Sequence, residues 1–162
     1  SILRYARQLE GTTLRDACEI DEVANPRKRR GSFGNALEKY FFHYDINNSP
    51  DADFREAETE LKSTPLRKKK NGEFSAKERL VISKINYMTV VDETWETSSL
   101  QKKLHKILLV ARWAGFIRKV VSLPIVERFR KRRQARLLNE YRSNHAAGRH
   151  GKLRCSLEFS DR

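Results

Sequence analysis

Apolar positions recur at helical spacing in the first forty residues and then change to extended patterns. Ile2, Leu3, Ala6 and Leu9 fall on one face, and Gly11 predicts the end of that helix. Thr12 or Thr13 is placed to cap a second helix carrying Leu14, Ala17 and Cys18. A third helix is expected to open at Gly34-Asn35, with Ala36, Leu37, Tyr40 and Phe41 on its apolar side and Glu38 off it. Asn47-Asn48-Ser49-Pro50 reads as a loop. Beyond it a strand is predicted over 58–66, and Asn71-Gly72 marks a hairpin turn. The return strand should contain Arg79 to Ile85, with Leu80-Val81-Ile82 buried on both faces or nearly so. Thr97 or Ser98 caps a helix through Leu100, Lys103 and Leu104, and Ile107-Leu108-Leu109-Val110 is a short apolar strand. Helices, strands, a helix and a final strand predict an α/β fold: a mixed sheet flanked by helices, its last strand brought back parallel to a neighbour by the crossover helix.

The first predicted strand carries the candidate chemistry. Side chains alternate along a strand, so Glu60 and Lys62 point one way while Leu61 points into the core. Asp53 precedes Glu60 by seven positions and joins the pair if its segment turns into the strand. Two carboxylates and an ammonium on one edge suit metal-dependent phosphodiester hydrolysis. The carboxylates hold a hard divalent cation, and the lysine orients water and offsets charge on the phosphate. Alone the motif is weak, because a Glu-x-Lys arises readily by chance in a chain that is 34% charged.

Charge strengthens the case. The net charge is +13, unevenly placed: residues 1–114 carry 21 Lys and Arg against 17 Asp and Glu, whereas residues 115–162 carry 13 against 4. A near-balanced front and a basic tail suit a polyanionic partner. Pro26-Arg27-Lys28-Arg29-Arg30-Gly31 is a second basic segment, read as a solvated linker or a phosphate contact. Cys18 and Cys155 are far apart without metal-ligand spacing, which fits a reducing compartment such as the cytoplasm. A zinc cluster of His145, His150 and Cys155 matches no common spacing. No apolar run is long enough to span a membrane, and none reads as a signal peptide.

An ordered series of motifs now resembles a family. Gly34-Asn35-Ala36-Leu37-Glu38 is followed by Asp53-Phe54 and by Glu60-Leu61-Lys62-Ser63-Thr64-Pro65. Then come Ser75-Ala76-Lys77-Glu78-Arg79-Leu80-Val81, Trp95-Glu96-Thr97-Ser98 and Lys102-Lys103-Leu104. The series resembles the MutH mismatch-repair nicking endonucleases and the related type II restriction endonucleases that cut GATC. The Ser-Ala-Lys-Glu-Arg-Leu-Val run is closer to the restriction branch. The resemblance covers about residues 1–113. It implies a restriction-endonuclease-like core, Mg2+ dependence and cleavage of double-stranded DNA at GATC. By the same resemblance Asp53, Glu60 and Lys62 are the central catalytic triplet, Asp53 and Glu60 the metal ligands, Glu38 a supporting glutamate and Lys103 a further site lysine. Asp51 competes with Asp53, but Asp53 has the spacing and the following Phe. Trp95 reads as a packing residue, and His43 and His105 as structural or surface residues.

Two departures stand out. Glu58 occupies a position where the family usually has glycine; it implies strain if φ is positive there, and an added carboxylate on the face of Glu60 and Lys62. After Trp113 the motifs stop, and a basic helix over 125–142 with Phe129, Leu137 and Tyr141 in a thin stripe is expected. The chain is therefore divided into an incomplete nuclease core, 1–114, and a basic tail, 115–162, which is a phosphate-gripping helix, a basic helix without a specific role, or a frame-shifted segment foreign to the family. Two alternatives to a restriction endonuclease remain: a non-catalytic DNA-binding protein and a mismatch-repair nicking enzyme.

Overall fold

A computed structural model of the chain describes residues 1–18, 32–46, 51–84, 94, 97–124, 139, 143 and 152–155. The centre is a four-stranded mixed sheet in the order β2-β1-β4-β5. Strand β1 is Thr59–Lys68, β2 Phe74–Ala76, β4 Lys106–Trp113 and β5 Phe116–Leu123. A separate pair joins β3, Leu80–Lys84, to β6, Lys152–Cys155. Helices α1 (Ile2–Ala6), α2 (Leu14–Cys18) and α3 (Ser32–Ala36) form the amino-terminal layer, and α4 (Ser99–Leu104) precedes β4.

Strand parity sorts the two faces of the sheet. β1 and β4 run parallel with Leu61 beside Leu108, Ser63 beside Val110, Glu60 beside Ile107 and Lys62 beside Leu109. Leu61, Leu108 and Val110 share one buried cluster with Ala6, Leu9, Leu37, Phe41, Phe54, Ile117 and Val120. This is the face covered by the amino-terminal layer. A fully buried leucine or isoleucine contributes about 1.5–3 kcal/mol, so this cluster is the main source of stability. Glu60 and Lys62 necessarily lie on the opposite face.

The local signals behave as their physical basis predicts. Gly11 has φ +82, ends the first helical stretch and donates its N–H to Ile117 O at 2.8 Å. Thr13 Oγ1 accepts from Asp16 N at the start of α2, and Ser98 Oγ accepts from Gln101 N at the start of α4. The crossover through α4 makes β4 parallel to β1, as expected.

Four features differ from the sequence expectation. The third helix starts at Ser32, and Leu37–Phe41 widens into a π-turn. The partner of β1 across Asn71-Gly72 is the short β2; the apolar run beyond it leaves the sheet and pairs with β6. That run is buried on alternate positions only, with Leu80 and Ile82 inside and Val81 37% exposed, because the small pair has one covered face. Finally, β4 does not end the sheet. Ala114 and Gly115 have φ +50 and +89, the two positive values a type I′ turn requires, and β5 returns antiparallel from Phe116. The division expected at residue 114 passes through this turn. The edge of β5 is covered by the segment after α1, through Ile117 N to Thr12 O at 2.8 Å and Val120 N to Glu10 Oε1 at 2.7 Å. The basic segment 26–31, Trp95, His145, His150 and, apart from Asn139, the expected helix over 125–142 lie outside the described residues.

Candidate functional site

Strand β1 brings Glu60 to the covered middle of the sheet face opposite the amino-terminal layer. Its side chain is only 2% exposed. Its Oε1 receives Lys62 Nζ at 2.6 Å and Lys103 Nζ at 3.3 Å. Its Oε2 is buried and has no hydrogen-bond partner among the described residues. Strand alternation places Lys62 on the same side as Glu60; α4 delivers Lys103 from 43 residues away.

Asp53 reaches the site through a tight loop. Phe54 and Thr59 exchange two backbone hydrogen bonds, at 2.9 and 3.2 Å, around the 3-10 turn Arg55–Ala57. Phe54 is 1% exposed and wedged against Phe42 and Tyr44, with ring centroids 4.9 and 5.0 Å away. The loop is thereby pinned, and Asp53 Oδ2 accepts Leu61 N at 2.8 Å. Asp53 competes with no neighbour for this role: Asp51 is turned outward to Lys102 at 3.3 Å and Arg55 at 3.8 Å.

Glu58 closes the loop in the left-handed conformation, φ +46 and ψ +44. The strain expected at a glycine position is therefore present. The expected extra carboxylate on the Glu60 face is not. Glu58 lies one residue before β1, points to solvent at 70% exposure and meets His105 Nδ1 at 3.5 Å. His105 thus has a partner that its sequence context does not reveal.

The site electrostatics are those of crowded carboxylates in poor solvent. Burial, and then the charges of Asp53 and Glu60, push the Glu38 carboxyl up to about 7; Lys62 and Lys103 oppose the rise. Burial and Glu60 also raise Asp53, against the Leu61 N–H and the two lysines. These couplings place Glu38, from the π-turn after α3, in the field of the same cluster. All five expected site residues are therefore brought together electrostatically, and three of them, Glu60, Lys62 and Lys103, by direct ion pairs. Lys102, Lys103 and Lys106, a single basic run in sequence, separate: Lys102 to Asp51, Lys103 to Glu60 and Lys106 to Ala57 O at 3.4 Å.

Among the described residues no group of three or more His, Cys, Asp and Glu is gathered tightly enough to hold a metal ion by itself. Two carboxylates are nevertheless the protein contribution a Mg2+ site often has, the rest being water and substrate phosphate. The orphaned Oε2 of Glu60 fits a cation, since a buried carboxylate oxygen without a partner is costly. Among the described residues no helix is long and apolar enough to cross a membrane. Cys18 is a free, buried thiol near the Ala36 carbonyl, at 3.8 Å, and its pKa is raised by burial.

The part of the chain that carries this cluster is similar to known proteins. The family described as DNA mismatch repair enzyme MutH matches residues 42–127. That span includes Asp53, Glu60, Lys62 and Lys103, begins after Glu38, and runs past Trp113 through β5. The type II restriction enzyme Sau3AI of Staphylococcus aureus is 41% identical over 92 residues, which make up 56% of this chain and 18% of that enzyme. The chain therefore spans only a small part of that relative's length.

Proposed function

The chain belongs to the MutH family, and from that membership we propose that it is the catalytic core of a Mg2+-dependent restriction endonuclease acting on double-stranded DNA at GATC. The observation that carries this reading is the buried Glu60, with one oxygen clamped by Lys62 and Lys103, the other without a hydrogen-bond partner among the described residues, and the carboxylate in the field of Asp53. The identity to a restriction enzyme supports the restriction branch over a nicking enzyme.

In this reading Asp53 and Glu60 hold the divalent cation. When bound, it supplies Lewis-acid stabilisation of charge on the scissile phosphate. The Leu61 N–H on Asp53 Oδ2 and the Lys103 ammonium on Glu60 Oε1 keep the two carboxylates in register with each other. Lys62 holds the attacking water in line and offsets phosphate charge. Glu38, with a carboxyl near 7, exchanges a proton readily at neutral pH and supports the charge balance of the cluster. In the same reading the basic tail, expected from residue 115, begins instead beyond β5 and gives sequence-independent phosphate contacts.

Digestion of unmethylated GATC plasmid by the purified chain, with and without chelator, tests the activity. Lys62→Ala should abolish cleavage and change DNA affinity little, because Lys62 acts on one phosphate whereas affinity is spread over many. Cleavage by the variant at the parent rate would sink the site assignment. DNA binding by a parent that cuts under no divalent cation would favour the non-catalytic alternative.

A further inference from the structure

Beyond the catalytic cluster, the same sheet face carries a second charged surface. Continuing the parity of Glu60 and Lys62 along β1 leads through Thr64 and Leu66 to Lys68. Phe74 lies beside Lys68 across the hairpin. The Phe74 and Trp113 rings meet edge to face at 5.2 Å. On these rings sit two cations: Lys68 Nζ is 6.0 Å from the Trp113 centroid, and the Arg118 guanidinium is 4.8 Å from that of Phe74. The β1–β2 turn adds Lys70.

A cationic hairpin is usually just a solvated face, so its pairing decides the matter. In this hairpin Lys69 is paired with Glu73 at 3.4 Å. Among the described residues Lys68, Lys70 and Arg118 have no carboxylate partner. Two of them rest instead on aromatic rings, which fix their position and leave their N–H groups to an incoming anion. Trp113 remains 38% exposed and Phe116, at the adjoining turn, 52%. A cationic surface whose neighbouring Glu73 is already taken up by Lys69, with exposed aromatic groups beside it, is complementary to a phosphate backbone.

We propose that Lys68, Lys70 and Arg118, buttressed by Phe74 and Trp113, form a remote backbone clamp for one flank of the duplex. Its ligand rests on the nuclease reading; its geometry does not. Eight residues separate Glu60 from Lys68, or about 26 Å of strand at about 3.3 Å per residue. With about 3.4 Å per base pair along a duplex, the clamp reaches phosphates at most about eight base pairs from the scissile one, the full distance applying where β1 runs along the duplex axis. It therefore positions the flank and reads no base.

The test uses the full chain and the double variant Lys68→Ala/Arg118→Ala, with Lys68→Arg/Arg118→Lys as the charge-preserving control. Binding is read by fluorescence anisotropy in Ca2+ across a salt series, on GATC duplexes with two 20-base-pair arms or with one arm cut to five. Losing two phosphate contacts should lower the salt slope by about 2 and weaken long-duplex binding about 10–30-fold at 0.15 M salt. The control should bind like the parent. Shortening the correct arm should weaken the parent and leave the alanine variant unmoved. Parent-like affinity in an alanine variant with an unchanged melting point would overturn the clamp. So would a parent that is indifferent to either arm. Cleavage in Mg2+ is scored separately: the arm effect without any cleavage supports the clamp and defeats the nuclease reading, whereas cleavage without the arm effect defeats only the clamp.

Discussion

Replacing Glu58 with glycine should stabilise the protein, although it removes a side-chain contact. Glu58 holds φ +46 and ψ +44 at the turn into β1. A residue with a Cβ pays about 1–2 kcal/mol there that glycine avoids. Glycine returns about 0.5–1 kcal/mol through the greater freedom of the unfolded chain. The contact with His105 joins two exposed groups at 3.5 Å, and such pairs contribute a few tenths of a kcal/mol. The net gain at the middle of these ranges is about 0.5 kcal/mol, or a rise of about 1–2 °C in melting temperature for a chain of this size. Glu58→Ala is the necessary comparison, because it loses the same contact and keeps the strained backbone. Differential scanning calorimetry should rank the glycine variant above the parent and the alanine variant at or below it. If glycine melts no higher than alanine, the left-handed turn stores no strain. Cleavage should change little, because the Asp53–Leu61 bond and the Phe54 wedge remain.

Three further outcomes are expected. Glu38, raised from 4.5 to about 7, binds more protons in the folded than in the unfolded chain between those values; stability should therefore fall as pH rises through that window, with Asp53 adding in the same direction, and thermal melts of Glu38→Gln should show a flatter pH dependence. Mg2+ or Ca2+ should raise the melting temperature more at pH 8 than at pH 5, with Ca2+ supporting DNA binding but not turnover, since its looser coordination misplaces the water; full activity in excess chelator would refute this. A chain cut after residue 114 loses β5 with the buried Ile117 and Val120, at about 1.5–3 kcal/mol each against a total stability of about 5–15 kcal/mol. It should fail to melt cooperatively, whereas one cut after residue 124 keeps the main core and should lose mainly salt-sensitive DNA affinity.

Local order was legible wherever it depends on neighbours along the chain. The spacing of Ile2, Ala6 and Leu9, the caps narrowed to Thr12 or Thr13 and to Thr97 or Ser98, and the alternation that sets Glu60 and Lys62 against Leu61 follow from helix and strand geometry alone. The order of elements added the parallel return of β4, and the ordered motifs added the family. The hairpin into β5 carried a weaker signal: Ala114-Gly115 supplies one glycine where Asn-Gly would announce the turn, and the basic residues of β5 resemble a tail. Periodicity also cannot say which sheet an apolar run joins, so the sequence of β3 reads as the return partner of β1 although packing pairs it with β6. The outward turn of Glu58 depends on the loop closed by Phe54 and Thr59, and the sorting of three nearby lysines onto three different partners depends on where α4 lands. The raised Glu38 carboxyl has the same origin. Side-chain direction is encoded residue by residue, but distance across the fold and loss of water exist only once the sheet and its helices have packed.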